Sequence, residues 1–415
     1  MRVVHPSVYL KQQERKKRRK PRRYAIGFLL VVLLGMYGYL AYAVKPVFTV
    51  SKIYPQRVTA QELDFAWPES GTASIGYIGA SEKVLASKGG KTKLPSASTI
   101  KLLTAVVVLN QKPLGPGEEG ERIYFTNADV DRMNQIIAEG GVYFPITNGM
   151  SMTYRQALEA SLISSSNNIT DKLAVWAYGS FEAYQKAAIS YLSSNGITDT
   201  TITDTSGLSA GTTSTADDML KISLLAMDVS VIKEVVSTAK TQINGIDLTN
   251  TNVLLKTDGV SGIKTGYTLE AQNCLLLSKV KVMGNKEFTF VVVVFAQPSR
   301  ETAFAEANRL LNVLVDNTAI TTVVAKRDKV GEVSSPWGSI TKFESNGEIT
   351  IYKWIGEGVE AKVETTAISS GKKGEKIGTA KLRNSEADLV LTEDLPAPSL
   401  RWRLLHAFDA VEQII

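Results

Sequence analysis

An unbroken apolar run is the first feature in the pattern of hydrophobic and polar residues along this 415-residue chain. Residues 24–44, YAIGFLLVVLLGMYGYLAYAV, contain no charged side chain. As a helix, this run is long enough to cross the roughly 30 Å hydrocarbon core of a bilayer. The pattern therefore predicts a transmembrane anchor. Residues 45–68 contain three prolines and show little periodicity, which predicts a stalk.

Residues 69–320 form one region in which strand-like stretches lie on both sides of a helical one. Alternating or continuous apolar residues predict strands at 72–78, 83–87, 262–268, 273–282 and 288–297. Helical spacing dominates residues 113–235 and returns at 300–317. Strands from both ends with helices inserted between them predict an α+β domain.

The pattern changes again near residue 325. Short alternating segments broken by glycine and asparagine predict a small β-rich domain over residues 325–396. In residues 398–415, Leu404, Phe408, Val411 and Ile415 follow helical spacing, which predicts an amphipathic helix. That helix is too short and too charged to span a bilayer. Two alternatives stay open for it: lying on the membrane surface or packing on the β-rich domain.

Basic residues are concentrated at the N-terminus. Residues 1–23 contain ten lysines and arginines and one acid, while the rest of the chain has 37 basic and 40 acidic residues. The formal net charge of +6 is therefore local, and a nucleic-acid-binding body is excluded. Because basic flanks stay in the cytoplasm, residues 1–23 predict a cytoplasmic tail and a body outside the cell membrane. A signal peptide cleaved after AYA, residues 41–43, is the alternative.

Histidine and cysteine are nearly absent. The two histidines, His5 and His406, lie near the two ends of the chain, so a Ser-His-Asp hydrolase and a histidine-ligated metal site are both disfavoured. The single cysteine, Cys274, permits no intrachain disulfide and lies in an apolar stretch typical of a buried strand. Any nucleophilic chemistry in the exported body therefore needs a base other than histidine.

The stretch STIK, Ser98 to Lys101, precedes an apolar run with helical spacing. Serine is common at helix starts, and Ser-x-x-Lys occurs eight times in the chain, so this motif alone favours a structural interpretation. Two further motifs change the picture. Ser165-Ser166-Asn167 lies between two predicted helices, and the only Lys-Thr-Gly of the chain begins at Lys264. The three motifs in this order are typical of penicillin-binding proteins and related β-lactamases.

Elementary chemistry agrees with that interpretation. A serine at a helix start has free backbone N–H groups beside it, which suit a developing oxyanion. Lys101 lies one turn further along the same helix face. If buried close to a second cation such as Lys264, its amine could be neutral and act as a base.

The motifs and the stretches around them resemble the serine D-alanyl-D-alanine carboxypeptidases, the low-molecular-mass penicillin-binding proteins of bacterial cell walls. The resemblance covers residues 67–317 and, more loosely, residues 326–395. It implies a penicillin-binding/serine β-lactamase-like domain, with an antiparallel sheet, flanking helices and an inserted helical lobe, followed by a β-rich domain. The implied catalytic residues are Ser98, Lys101, Ser165 and Asn167; the implied substrate-binding residues are Lys264, Thr265, Gly266 and Tyr267.

The same resemblance implies the partners of the protein. The substrate would be a peptidoglycan stem peptide, β-lactam antibiotics would be inhibitors, and the enzyme would act outside the cytoplasmic membrane to which it is attached. No metal or organic cofactor and no nucleic acid is implied.

The sequence departs from the family pattern in two places. Because Ser166 stands where relatives often have glycine or alanine, the middle motif could instead be Ser166 with Asn168, although Ser165 is favoured. The segment SAGTTST has threonine where relatives commonly have histidine. Two other functions also stay open: a serine β-lactamase, disfavoured because residues 183–233 contain no glutamate, and a catalytically idle wall-binding protein.

Overall fold

A computed structural model describes residues 6–43, 45–63, 65–80 and 83–406 of the chain. Several helices start where the sequence places a capping hydroxyl: the side chains of Thr153, Ser180, Thr215 and Ser299 each accept a hydrogen bond from a backbone N–H of the first turn. Among the described residues the α-helices are α1 Pro6–Ala43, α2 Lys101–Gln111, α3 Asn127–Ala138, α4 Tyr154–Leu162, α5 Asn167–Tyr178, α6 Phe181–Ser194, α7 Ala216–Met227, α8 Ser230–Val236, α9 Arg300–Asp316 and α10 Leu400–Leu405.

Strands dominate both ends of the region from residue 72 to residue 297 and nearly all of residues 318–391. The strands of the described residues are β1 Lys52–Ile53, β2 Gln56–Val58, β3 Thr72–Tyr77, β4 Ala86–Lys88, β5 Leu94–Pro95, β6 Arg122–Tyr124, β7 Ser151–Thr153, β8 Thr213–Ser214, β9 Lys240–Ile243, β10 Ile246–Thr249, β11 Val260–Thr268, β12 Gln272–Met283, β13 Lys286–Gln297, β14 Thr318–Val324, β15 Lys329–Ser334, β16 Ile340–Ser345, β17 Ile349–Trp354, β18 Val359–Thr365, β19 Lys376–Leu382 and β20 Ser385–Leu391.

The described chain divides into two compact units. The larger unit comprises Ala60–Ala319 and Tyr352–Glu357. Its central sheet has five antiparallel strands in the order β11-β12-β13-β3-β4, so strands from both ends of this part of the sequence meet in one sheet. Helices α2 to α8 lie between β5 and β11 in the sequence and form the inserted helical part. The predicted α+β arrangement is confirmed.

Both faces of this sheet are buried. In β13, Val291 and Val293 pack into the core that includes α2 and α7, whereas Val292 and Val294 pack into the core that includes α9. Because alternate side chains of a strand point to opposite faces, a strand covered on both sides needs apolar residues at every position. This explains the run FVVVVF. Helix α2 is equally enclosed: all residues from Lys101 to Leu109 are buried.

The β-rich unit contains the residues up to Thr59, Ile320–Ile351 and the residues from Gly358 onward. Its main sheet has the order β1-β15-β16-β20-β19-β18-β2. The two outer strands of the sheet therefore come from one short segment of sequence, which covers both edges of the sheet.

The sequence predicts a stalk over residues 45–68, whereas the structure places part of it in this sheet. Lys52–Ile53 pairs with β15, and Gln56–Val58 pairs with β18. Phe48 and Val58 also pack against the core of the β-rich unit. Burial of these side chains explains the difference, because it favours pairing over a solvated linker.

Only the beginning of the predicted C-terminal helix falls within the described residues. Helix α10 ends at Leu405, and residues 407–415 lie outside the described part. The ring of Trp402 lies 5.4 Å from the ring of Trp337, which belongs to the same β-rich unit, and Tyr37 of α1 donates a hydrogen bond to the Leu404 carbonyl. Helix α10 thus contacts both the β-rich unit and the apolar helix α1.

Candidate active site

Ser98 lies in a short 3-10 helix, Ala97–Ile100, that leads directly into α2. In such a turn, residues three apart lie on the same side, so Ser98 and Lys101 face each other. The distance from Lys101 Nζ to Ser98 Oγ is 2.8 Å. Ala97, immediately before the serine, has φ of 46°, a left-handed conformation unusual for a residue with a side chain. Strained residues of this kind often occur at active sites.

The amine of Lys101 is fully enclosed by polar partners. Besides Ser98 Oγ, it donates to Asn167 Oδ1 at 2.5 Å and to the Ser206 carbonyl at 2.9 Å. The side chain is 0% exposed. A neutral amine can donate to Asn167 and to the Ser206 carbonyl and accept from the Ser98 hydroxyl, so the arrangement holds the nitrogen at a defined point beside the serine oxygen.

Burial and charge set the protonation of both lysines. Burial, followed by the charge of Lys264, holds the pKa of Lys101 well below its usual range, while Asp204 and Asp171 act in the opposite direction. Burial lowers the pKa of Lys264 from 10.5 to about 7. A lysine amine with a depressed pKa is available as a base near neutral pH.

The structure separates the two possible registers of the middle motif. Asn167, the first residue of α5, accepts from Lys101, whereas Asn168 makes two hydrogen bonds to the backbone of Phe144, at 2.8 and 2.9 Å. Ser165 has φ of 65° and lines the cleft beside Ser98, while Ser166 is buried and hydrogen-bonded to Ser164. The geometry therefore favours Ser165 with Asn167, which is the register preferred from the sequence.

The Lys-Thr-Gly motif lies on β11, an edge strand of the five-stranded sheet. A Cβ atom added to Gly266 would lie 3.1 Å from the backbone nitrogen of Ser98 and 3.1 Å from the Ala97 side chain. The strand thus approaches the serine turn closely, and glycine provides the necessary space. An edge strand also has backbone groups free to pair with an extended peptide.

A cleft of about 500 Å³ connects these elements. Its lining includes five of the predicted site residues: Ser98, Ser165, Thr265, Gly266 and Tyr267. Of the other three, Lys101 and Asn167 lie directly behind Ser98. The third, Lys264 on β11, is close enough for its charge to lower the pKa of Lys101. All eight predicted residues are thus brought to one place.

Arg300 in the same cleft was not found from the sequence. It is the first residue of α9, and its Nη2 donates to the Thr251 carbonyl at 2.7 Å. Thr251 also accepts a hydrogen bond from the Thr265 hydroxyl at 2.7 Å. A cation beside the threonine of the motif suits a substrate carboxylate. The sequence contains no short motif around Arg300 that would reveal this placement.

Thr212, in the segment SAGTTST, has a structural task. Thr212 is buried; its hydroxyl donates to the Asp204 carboxylate and accepts from the backbone N–H groups of Thr203 and Asp204. These bonds close the loop that carries Ser206 next to Lys101. Cys274 also lines the cleft, but burial raises the pKa of its thiol to about 12, so it is not a thiolate nucleophile.

Replacement of Lys264 by methionine should stabilise the protein while removing a site cation. A buried ammonium group costs free energy in the folded state, and its loss should stabilise by about 1–3 kcal/mol. The pKa of Lys264 is about 7 in the folded protein, below the usual 10.5. The free-energy cost of burying the charged amine is therefore full below pH 7, and it shrinks as pH rises from 7 to 10.5 because the folded protein then holds the amine in its neutral form. Thermal unfolding of Lys264→Met at pH 6, 8 and 10 measures this, with the exposed Lys240→Met as control. A thermal midpoint of Lys264→Met at pH 6 that is equal to or below that of wild type would contradict the predicted cost of burying the Lys264 ammonium group.

A serine oxygen next to a buried amine, at the start of a helix and beside the edge strand β11, is the arrangement expected of an acyl-transferring serine hydrolase that uses no histidine. Comparison with known proteins agrees. The family model described as D-alanyl-D-alanine carboxypeptidase, peptidase family S11, matches residues 73–298.

Two relatives and one solved structure are among the proteins similar to this chain. The D-alanyl-D-alanine endopeptidase of Escherichia coli is 30% identical over 270 residues, which are 62% of this chain and 82% of that protein. The D-alanyl-D-alanine carboxypeptidase DacF of Bacillus subtilis is 25% identical over 333 residues, 75% of this chain and 82% of that protein. The crystal structure of the carboxypeptidase DacD of Francisella tularensis has a TM-score of 0.58 at 16% identity, covering 82% of this chain and 96% of that one.

The chain therefore belongs to the D-alanyl-D-alanine carboxypeptidase family, S11. Its class is that of the serine-type D-alanyl-D-alanine carboxypeptidases, which are hydrolases. The resemblance stated from the sequence and the penicillin-binding/serine β-lactamase-like fold are both confirmed.

Proposed function

We propose that this enzyme removes the terminal D-alanine from peptidoglycan stem peptides through an acyl-enzyme on Ser98, outside the cytoplasmic membrane. The observation that carries the proposal is the 2.8 Å distance between Ser98 Oγ and the buried amine of Lys101, at the edge of a cleft bounded by the Lys-Thr-Gly strand.

In the acylation step, Lys101 takes the proton of the Ser98 hydroxyl as the oxygen attacks the carbonyl carbon of the penultimate D-alanine. A nitrogen 2.8 Å from the hydroxyl oxygen is within direct proton-transfer distance. The carbonyl oxygen becomes an oxyanion, which the backbone N–H groups of Ser98 and Tyr267 stabilise. The close approach of Gly266 to the Ser98 nitrogen supports this pairing of donors.

The terminal D-alanine then leaves as an amine. The proton held by Lys101 passes to its nitrogen through the Ser165 hydroxyl as the peptide bond breaks, leaving the stem peptide as an ester on Ser98. Attack by water on that ester, with its proton passing back through the same groups, restores Ser98 and releases the shortened peptide.

Substrate orientation comes from the other predicted residues. We assign the terminal carboxylate to Lys264 and Thr265, joined by Arg300, whose guanidinium lies in the same cleft. The Asn167 amide binds a substrate amide, and the β11 edge pairs with the substrate backbone. A β-lactam would acylate Ser98 in the same way, since its ring carbonyl takes the place of the scissile one.

Activity on a synthetic pentapeptide ending in D-Ala-D-Ala tests the proposal. We expect stoichiometric release of D-alanine, and slow turnover of penicillin after one equivalent has acylated the protein. Rapid continuous penicillin hydrolysis without D-alanine release would identify a β-lactamase instead. No acylation and no release would identify a catalytically idle relative, and cleavage of a cross-linked dimer alone would identify an endopeptidase.

Attachment to the membrane is the second part of the proposal. The described helix includes an apolar segment, Arg23–Ala43, long enough to cross a bilayer, with most of its large apolar side chains exposed rather than packed in a core. We assign it to a single-pass anchor, with residues 1–23 in the cytoplasm and the catalytic part outside. Contact of α10 with this helix supports a position of α10 at the membrane surface.

Protease treatment of intact, wall-stripped cells tests this topology. We expect the body to be degraded and an N-terminal fragment containing residues 1–23 to be protected until the membrane is permeabilised. A mature N-terminus near residue 44 would instead establish cleavage of a signal peptide. Degradation of the N-terminal tail in intact cells would overturn the orientation.

A further inference from the structure

A loop behind the active site completes the surroundings of Lys101. The Ser206 carbonyl in this loop accepts a hydrogen bond from Lys101 Nζ at 2.9 Å. The next residue, Gly207, has φ of 73°, and a Cβ atom there would lie 1.8 Å from the Ala97 carbonyl oxygen. The loop is thus pressed against the turn that carries Ser98, and its position bears directly on the base.

Two carboxylates hold this loop through hydrogen bonds: one belongs to the loop itself, and the other belongs to helix α5. Asp204 accepts from the backbone N–H groups of Gly207, Leu208 and Ser209 at 2.8–3.2 Å. Asp171, on α5, accepts a hydrogen bond from the Thr205 hydroxyl, the residue next to Ser206. Asp171 belongs to none of the three sequence motifs.

Helix α5 links this second carboxylate to the catalytic centre. Asn167 and Asp171 are four residues apart, hence one turn apart on the same face. Asn167 Oδ1 accepts a hydrogen bond from the Lys101 amine, and the Asp171 carboxylate accepts one from the hydroxyl of Thr205, the residue next to Ser206. One rigid helix therefore fixes two of the three hydrogen-bond partners of the amine.

We propose that Asp171 is a positioning residue for Lys101. It keeps the Thr205–Ser206 segment in place, so that the Ser206 carbonyl continues to accept a hydrogen bond from the Lys101 amine. It also provides a negative charge near that amine. The proposal rests on the assignment of Lys101 as the base.

The charged groups around the Lys101 amine predict in which direction its pKa should change when Asp171 is replaced. Lys101 is faced by Lys264 from β11, Asp204 from the loop and Asp171 from α5; Arg132 from α3 donates its Nε–H to Asp171 at 2.8 Å. Burial and Lys264 lower the pKa of Lys101, and the two carboxylates oppose them. Removing the Asp171 charge should therefore lower this pKa further, so the base becomes active at lower pH.

A matched control exists on the same two helices. Lys172 forms an ion pair with Asp129 of α3, with a distance of 2.7 Å between Nζ and Oδ2. This pair joins α3 to α5 as the Arg132–Asp171 pair does, with the charges reversed and without contact to the loop. Lys172→Met therefore loosens the helix pair but leaves the surroundings of Lys101 unchanged.

The test follows the rate of acylation by a fluorescent penicillin between pH 5 and 9, in the full-length protein. In Asp171→Asn, which keeps the shape, we expect the midpoint of the acidic limb to move down by about half a pH unit. In Asp171→Ala, the plateau rate should also fall roughly tenfold, because the Ser206 carbonyl loses its support. Lys172→Met should keep the wild-type midpoint, and Lys101→Ala should not be acylated.

The possible results distinguish failure of the positioning role of Asp171 from failure of the proposed function. Wild-type midpoints in both Asp171 variants, or the same shift in Lys172→Met, would overturn the positioning role while the inactive Lys101→Ala upholds the proposed function. Acylation of Lys101→Ala would overturn the proposed function itself. Should Asp171→Ala fail to fold, as judged by thermal unfolding, the isosteric Asp171→Asn decides the question by its midpoint alone.

Discussion

Ser98→Ala should lose acylation by penicillin and release of D-alanine by at least ~10⁴-fold, the scale of loss when a serine hydrolase loses its nucleophile. The reason is positional as well as chemical. Ser98 Oγ is the oxygen that the buried Lys101 amine contacts at 2.8 Å, and Gly266 brings the edge strand to its backbone nitrogen. No oxygen remains at this point when the side chain becomes a methyl group.

The measurement is mass spectrometry of the protein after incubation with penicillin, followed by peptide mapping. Wild type should gain one adduct on the peptide that contains Ser98. Ser230→Ala is the matched control, because Ser230 and Lys233 form a Ser-x-x-Lys pair at the start of α8, where Lys233 is paired with Glu287 at 2.5 Å. It should keep full labelling. An adduct on another serine, or one that persists in Ser98→Ala, would refute the assignment.

Lys101→Arg should reduce acylation by roughly 10³-fold or more, although it conserves the positive charge. A guanidinium group cannot give up its proton at working pH, so it cannot accept one from the serine. It is also larger and planar, whereas the pocket of Lys101 presents three acceptors to a single nitrogen and is closed to solvent. Lys101→Ala should be inactive for the simpler reason that no base remains.

Both variants need a check of folding. The buried amine costs free energy when charged, so we expect Lys101→Ala to unfold at a temperature close to that of wild type rather than far below it. The rate of penicillin acylation and the thermal midpoint are measured on the same preparations. A Lys101→Arg protein that acylates near the wild-type rate would show that Lys101 acts as a fixed charge and not as a base.

The order of three short motifs was sufficient to predict the family, since each residue type is required by a different part of the chemistry. Local periodicity was sufficient for most strands and helices of the larger unit, because strands buried on both faces and a fully buried helix leave long apolar runs such as FVVVVF and LLTAVVVL. The apolar run at residues 24–44 predicted a spanning helix by length alone.

Local sequence patterns could not predict which residues far apart in the sequence contact each other. The choice between Asn167 and Asn168 depends on which side chain reaches Lys101, and both fit the motif equally well. Arg300 reaches the cleft only because α9 begins there. Residues 45–59 contain two prolines and show little periodicity, so nothing local reveals the pairing of β1 with β15 and β2 with β18.

The physical reason for this division lies in the range of the interactions. Residue type and spacing within one turn or one strand specify local conformation and the chemical groups available, so the serine, the lysine and the motif order can be read from neighbouring residues. Protonation and alignment depend on burial and on charges brought in by other elements: Lys264 from β11, Asp204 from a loop and Asp171 from α5 all act on the one amine of Lys101. That environment exists only once the chain has folded.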